Sequence, residues 1–393
     1  MDYGQFIETT VAVNYDRVAR KPWRFDRLER AWQLKAARRG AREHGIPAGQ
    51  VYDDLRAAIL RRARNPLWLL PSVPGLAYVL FQMVRGWAVW VAYSRFLGPR
   101  YAKRTVAPMS RVERSLPLPG ARREAPVASV VVLSFNRLDY LQTTIESLYA
   151  TAEAARFELI VVDNGSTDGS VEFLRGQAEA NALDKVVLRR RNHGTSPGFN
   201  VGFAHADPRS RLLIKLDSDI VLLESGWLER VERFLAASPR HGAAALSQIN
   251  HGILRWAPRR TVEGESVSSW DWFVCGGACM TIPRRVFEDV GWLNEEFDLP
   301  YMPDDLDYAM RLSYLDYEAY YLQDCRTYHR AELDHRRYRH NNTAKHRELK
   351  RVARRKESEM YRRYASGETD PRLRYEHYAQ CSFPDGRRVI SID

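Results

Sequence analysis

The chain has 393 residues, enough for two or three domains with a sizeable core. Its composition, 45% hydrophobic and 28% charged, excludes a wholly disordered or fibrous chain. The net charge of +11 is unevenly spread: residues 1–125 carry +13, residues 126–325 carry −10 and residues 326–363 carry +9. A basic flank of this kind is either a solvated helix surface or a contact for something rich in phosphate.

Cys275, Cys279, Cys325 and Cys381 are too few and too scattered for a disulfide framework, and no spacing suggests zinc. A reducing compartment is expected. No basic stretch followed by an apolar core opens the sequence, so no secretory signal is expected.

In chain order, residues 1–65 read as basic and helical, with Gly45-Ile46-Pro47 breaking two helices. Leu76 to Leu97 is nearly all apolar and about long enough to cross a bilayer. Arg85 near its centre costs roughly 2.5–3.5 kcal/mol on insertion. Tyr78, Gln82, Arg85 and Val89 share one helical stripe, which favours a helix docked on protein or lying in a membrane interface. Residues 98–126 are punctuated by prolines and read as a linker, giving a boundary near Pro126.

Beyond it the rhythm becomes strand and helix in alternation. Val127–Phe135, Phe157–Val162, Lys185–Arg189 and Arg211–Leu216 read as buried parallel strands. Leu138–Tyr149, Gly169–Ala182 and Phe199–Ala206 read as the helices between them. The predicted fold is α/β, with a mostly parallel central sheet flanked by helices. Ligands in such sheets bind beyond the carboxyl ends of the strands.

Polar clusters fall at those ends. Asp217-Ser218-Asp219 could share a hard divalent cation that keeps positions open for phosphate oxygens, although such triplets are common in turns. Asp163 opens the turn Asp163-Asn164-Gly165-Ser166-Thr167-Asp168-Gly169 and could accept hydrogen bonds from a base or ribose; Thr167 or Asp168 could cap the following helix. The run Asn192 to Gly202 is rich in glycine and could bring backbone amides close to phosphate. It matches neither the P-loop nor the Rossmann fingerprint. Asp304, Asp305 and Asp307 crowd a helix start, where a carboxylate is stabilised and could take a proton from an acceptor hydroxyl. Asp307 and Arg311, four residues apart, are expected to pair.

The ordered set is more specific than its parts. Ser134-Phe135-Asn136-Arg137, the Asp163 turn, the Asn192–Gly202 run, Leu216-Asp217-Ser218-Asp219-Ile220, Gly276-Gly277 ahead of Arg284-Arg285-Val286-Phe287, the Asp304 helix and Tyr328-His329 follow one another in a series that resembles the family 2 glycosyltransferases of GT-A fold. The match runs from about Val127 to about His329. The resemblance implies inverting transfer from a nucleotide-diphosphate sugar, with Mn²⁺ or Mg²⁺ as cofactor. It implies that Asp163, with Ser134 and Asn136, binds the nucleobase end of the donor, and that Asp217 and Asp219 bind metal and diphosphate. Asp305 resembles the family's catalytic base and Asp304 its acidic neighbour; many members carry Glu-Asp where this chain carries Asp-Asp. His329 resembles a histidine that completes the metal shell in some members.

Trp270 and Trp272 could stack on an acceptor sugar, or could be ordinary rim aromatics. His335–Arg363 reads as an exposed basic helix. Three domains are therefore expected: a basic helical region over 1–125, a GT-A domain over 126–330 and a basic helical extension over 331–393. The expected acceptor is a glycan or lipid-linked molecule, reached from the cytoplasmic side with peripheral contact to anionic membrane. A protein or nucleic-acid acceptor, or a GT-A module that only binds nucleotide sugars, is the alternative; the flanks carry no recognised nucleic-acid module.

Overall fold

The computed structural model describes residues 1–19, 25–63, 125–249, 259–269, 277–297, 304–330, 362–379, 381–384 and 387–393, with isolated positions between 352 and 360. Trp270, Trp272, the apolar stretch 76–97 and most of the basic segment 335–363 lie outside the described residues.

Short runs of β-branched and apolar residues form half of one sheet. β1 (Ala128–Ser134), β2 (Phe157–Asp163), β3 (Lys185–Arg189) and β4 (Leu212–Asp217) are buried strands joined through helices. α-Helical crossovers force parallel pairing, and the observed order β3-β2-β1-β4 is parallel throughout, with a late strand, Val389–Ile392, added parallel to β3. Beyond β4 the sheet turns mixed. Cys279–Pro283 runs antiparallel to β4, followed by His241–Gln248 and the long strand Glu318–His329. A short strand, Ile220–Leu222, leaves the Asp217 turn and pairs antiparallel with the end of Glu318–His329.

Helices cover both faces. Side chains of α4 (Leu138–Thr151), including Leu141, Ile145 and Leu148, bury on one face with Val130, Val132, Ile214 and Leu216. On the other face Phe199 and Phe203 of a helix spanning Thr195–Ala204 pack with Val131, Leu213, Met280 and Tyr308. That helix begins four residues earlier than expected. Pro197 suits a first helical turn, where its missing N–H has no partner to lose. Its glycines serve the sheet: a Cβ on Gly198 would lie 2.5 Å from Leu133 Cδ1, and one on Gly202 would lie 2.2 Å from Val131 Cγ1. Two glycines of this run thus serve close packing of helix on strand.

At the amino end, α1 (Tyr3–Ala19), α2 (Phe25–His44) and α3 (Ala48–Ala63) form the expected helical region, with the predicted break at 45–47. Phe6, Val11, Ala37, Val51 and Leu55 share an apolar cluster with Leu306 and Met310. Those two residues belong to the helix Asp304–Tyr314, whose opposite side sends Tyr308 and Leu312 into the sheet core. Arg38 fastens the contact by donating to the Tyr314 carbonyl at 2.8 Å. Among the described residues no helix is long and apolar enough to cross a membrane.

The anticipated Asp307–Arg311 pair is present, fully buried, at 2.7 Å. Tyr364 also donates to Asp307, and Arg311 donates to the carbonyls of Val290, Trp292 and Pro371.

Because the Gly202 contact leaves no room for a methyl group, Gly202→Ala should destabilise the chain by about 1–3 kcal/mol. Urea unfolding measures this, and unchanged stability would contradict the packing role.

Candidate active site

Register brings the strand-end polar residues into line. Ser134 pairs with Asp163 and Leu133 with Asp217, so the ends of β1, β2 and β4 share one edge of the sheet. Two loops are tied together there. Asn136, at a φ of 52°, accepts from the Thr167 N–H at 2.7 Å, and its own N–H donates to Ser166 Oγ at 2.9 Å. Left-handed backbone of this kind is tolerated best by Asn and Gly. Asp168 accepts from the Leu138 N–H and from the Ser170 N–H, so it serves the first turns of two helices rather than the one expected.

Asp163 is fully buried. It accepts from the Gly165 N–H at 3.1 Å, the Ser166 N–H at 2.8 Å and Ser166 Oγ at 2.6 Å. Burial pushes its carboxyl above the usual range despite those bonds. Ser134 Oγ is buried beside this turn's strand end with no hydrogen-bond partner among the described residues.

The two acids of the Asp217-Ser218-Asp219 turn face different partners. Asp219 is 2% exposed, and its Oδ2 accepts from Arg137 Nη1. Its Oδ1 has no hydrogen-bond partner among the described residues and stands 3.6 Å from His329 Nε2. Thr144 Oγ1 donates to the Ser218 carbonyl and the Arg330 N–H to the Asp219 carbonyl, which fixes the turn from two sides. Among the described residues no three His, Cys, Asp or Glu side chains gather as a cation site. The donors present nevertheless suit Mg²⁺ or Mn²⁺ with a nucleotide, because such ions take one or two protein ligands and complete their shell from phosphate and water. The buried, unpartnered Asp219 Oδ1 facing an imidazole nitrogen is the observation that supports this fit.

Asp217 meets a residue that the motif reading left out. Strand alternation puts Leu213, Lys215 and Asp217 on the same face of β4. Lys215 is 2% exposed; its ammonium donates to the Gly277 carbonyl at 2.6 Å and to Asp217 Oδ1 at 3.1 Å. It also stands 3.7 Å from Asp304 Oδ2 and 4.4 Å from the Phe199 ring centroid. Its carboxylate neighbours hold its pKa above the ordinary value although burial opposes them. Gly277 reaches on to Asp305: its N–H donates to Asp305 Oδ2 at 3.2 Å, while Asp305 Oδ1 accepts from the Leu306 N–H at 2.9 Å. A Cβ on Gly277 would sit 2.6 Å from that same Oδ2, so only glycine fits against the acid.

Asp217, Asp304 and Asp305 are thus brought together around Lys215 and Gly277, and Asp219 and His329 meet around the next turn. Lys215, Arg137 and Gly277 are the residues that the motif reading missed as participants. A lysine at an inward position of the apolar strand Arg211–Leu216, with an aspartate two residues on, was the available signal. A separate cavity of about 740 Å³, lined in part by Lys185, His205, Arg284, Trp292 and Phe383, opens at the amino ends of β3 and β4 and contains none of the predicted site residues.

Burial pushes the Asp304 carboxyl up to about 6; Lys215 opposes the rise, and Asp305 and Asp217 add to it. Between its ordinary value of 3.8 and about 6, the folded chain keeps a proton that the unfolded chain has released. This contribution to stability is complete below 3.8 and is lost as pH rises through about 6. Asp304→Asn should therefore flatten the fall in stability across that window, as read from urea unfolding at several pH values. An unchanged slope would contradict a buried, proton-retaining Asp304.

Residues 129–291 match the family model for glycosyl transferase family 2. The chain is 25% identical over 213 residues to the O-antigen biosynthesis protein RfbC of Myxococcus xanthus, covering 49% of this chain and 16% of that protein. It is 34% identical over 95 residues to the undecaprenyl-phosphate 4-deoxy-4-formamido-L-arabinose transferase of Edwardsiella ictaluri, covering 23% of this chain and 29% of the relative. The chain therefore spans less than a third of either relative's length. Among solved structures, the mannosyltransferase PcManGT of Pyrobaculum calidifontis, in complex with GDP-Man and Mn²⁺, aligns with a TM-score of 0.41 and 17% identity over 64% of this chain and 67% of the other. The ordered motifs and the match over residues 129–291 thus make this part of the chain similar to glycosyl transferase family 2, set on a mixed α/β sheet whose parallel half carries the motifs.

Proposed function

We propose that this glycosyltransferase is an inverting, metal-dependent enzyme that moves a sugar from a nucleotide-diphosphate donor to a hydroxyl of a cell-envelope or lipid-linked glycan. One observation carries the reading. Lys215 contacts both Asp217 of the Asp-Ser-Asp turn and Gly277, which in turn holds Asp305, so the donor-side and acceptor-side acids belong to one constellation.

In this reading Asp163, Ser134 and Asn136 border the nucleoside end of the donor at the ends of β1 and β2. Asp219 and His329, with Asp217 nearby, would hold Mn²⁺ or Mg²⁺. A cation bound there offsets the charge that gathers on the departing diphosphate. Asp305 accepts the proton of the acceptor hydroxyl on the face opposite the leaving group, and attack from that face inverts the anomeric carbon. Its two backbone N–H donors fix the direction of the carboxylate before the acceptor arrives. Asp304, beside it, links that helix start to Lys215.

The printed names of two relatives, O-antigen biosynthesis and transfer to undecaprenyl phosphate, favour a glycan or lipid-linked acceptor. The basic flanks suit peripheral contact with an anionic membrane from the cytoplasmic side, at about 1 kcal/mol for each well-placed Lys or Arg. Trp270 and Trp272 are assigned to the acceptor side on sequence grounds alone.

A panel of nucleotide sugars, with Mn²⁺ or with a chelator, tests this function through release of nucleoside diphosphate. Metal-dependent release from one donor is expected; binding without turnover of any donor would mark a binding module instead. Asp305→Asn should reduce transfer by at least about 10³-fold while nucleotide affinity stays within about threefold. Full activity in that variant would remove Asp305 from the mechanism. Asp219→Ala should weaken Mn²⁺-dependent nucleotide binding in calorimetry, and unchanged metal dependence would contradict its assignment.

A further inference from the structure

We infer that Lys215 is a positioning residue for the acceptor-side carboxylate, acting through the Gly277 peptide and the start of the Asp304 helix; the inference rests on the function proposed above. Three pieces of chain distant in sequence meet at its ammonium. They are the end of β4, the residue Gly277 that leads into the strand Cys279–Pro283, and the first turn of the helix Asp304–Tyr314.

The path to Asp305 runs through a single residue. Lys215 donates to the carbonyl of Gly277 at 2.6 Å, and the N–H of Gly277 donates to Asp305 Oδ2 at 3.2 Å. With its carbonyl held, Gly277 has little freedom to turn its N–H away from the acid. Asp304, next in sequence to Asp305, is approached by the same ammonium at 3.7 Å. The environment of Asp305 is therefore fixed by one cation on two sides. Removing the charge would leave Asp217 and Asp304, both against that ammonium, without their shared counter-ion, and like charges there would push the strand end and the helix start apart.

The anchor is internal. Lys215 is 2% exposed, and its ammonium stands 4.4 Å from the centroid of the Phe199 ring, a surface suited to an ammonium. Nothing in this arrangement calls for Lys215 to touch the donor. Its loss should consequently appear mainly in turnover, with only a small change in donor affinity through Asp217.

The test uses the full chain with the nucleotide sugar that it turns over. Lys215→Met should lower kcat by about 10²-fold, the usual cost of a catalytic group displaced by about an ångström, with donor KM within about threefold. Lys215→Gln keeps a donor for the Gly277 carbonyl and should recover part of that loss, and it serves alone if the methionine variant does not fold. A kcat within threefold of wild type in either folded variant, or a rise in KM that accounts for the whole loss, overturns the inference. A second measurement does not depend on activity: a double-mutant cycle of Lys215→Gln and Asp304→Asn in urea unfolding. Strong coupling supports the link and strict additivity overturns it. Should the wild-type chain turn over no donor, the proposed function fails by itself, and the cycle still decides whether Lys215 holds Asp304 in place.

Discussion

An ammonium group inside a protein stays there only if its surroundings replace the water it has lost, a loss worth several kcal/mol for each ion. For Lys215 the replacement is a carboxylate from its own strand, a peptide carbonyl from Gly277, the nearby Asp304 and an aromatic face from Phe199. Without the carboxylate and the carbonyl, the ammonium would be left uncompensated in the core. The same requirement forces the carboxyl end of β4, the approach to the next strand and the start of the helix Asp304–Tyr314 into one place. The geometry proposed for catalysis is thus tied to satisfying a buried cation.

The surrounding architecture supports that helix from both sides. Tyr308 and Leu312 enter the sheet core, whereas Leu306 and Met310 complete the apolar cluster of the amino-terminal helices. The Asp307–Arg311 pair, closed by Tyr364 and three carbonyls, locks the middle of the helix. The acids at its start therefore project from an element held along its length. Residues 1–63 take part in this packing, so the amino-terminal helices share an apolar cluster with the helix Asp304–Tyr314.

Much of this was legible in the sequence, for physical reasons that can be stated. Continuous β-branched runs marked β1 to β3 within one residue at each end, because strands buried on both faces admit little else. The acids at positions 163, 217 and 219 stood out because they lie at the carboxyl ends of strands, where ligands bind in such sheets, and those at 304 and 305 because three acids at one helix start exceed what capping needs. The role of the glycines at 198 and 202 was not legible, since a glycine that admits phosphate and one that admits a valine side chain look alike in one dimension. Lys215 was passed over because it sits inside a strand rather than in a motif. Its partners Gly277 and Asp304 lie 62 and 89 positions away, a contact that no local pattern encodes.

The division of labour between the two turns of acids is the central claim: Asp219 and His329 serve the diphosphate and its cation, while Asp305 serves the incoming alcohol. A crystal structure of the full chain soaked with nucleoside diphosphate and Mn²⁺ tests it most directly. The account predicts manganese density bonded to Asp219 and His329, the terminal phosphate on that ion, and open space between the phosphate and Asp305 for a sugar. Nucleotide density elsewhere, such as in the cavity beside Lys185 and His205, with Asp219 still paired with Arg137 and no metal on it, would contradict it.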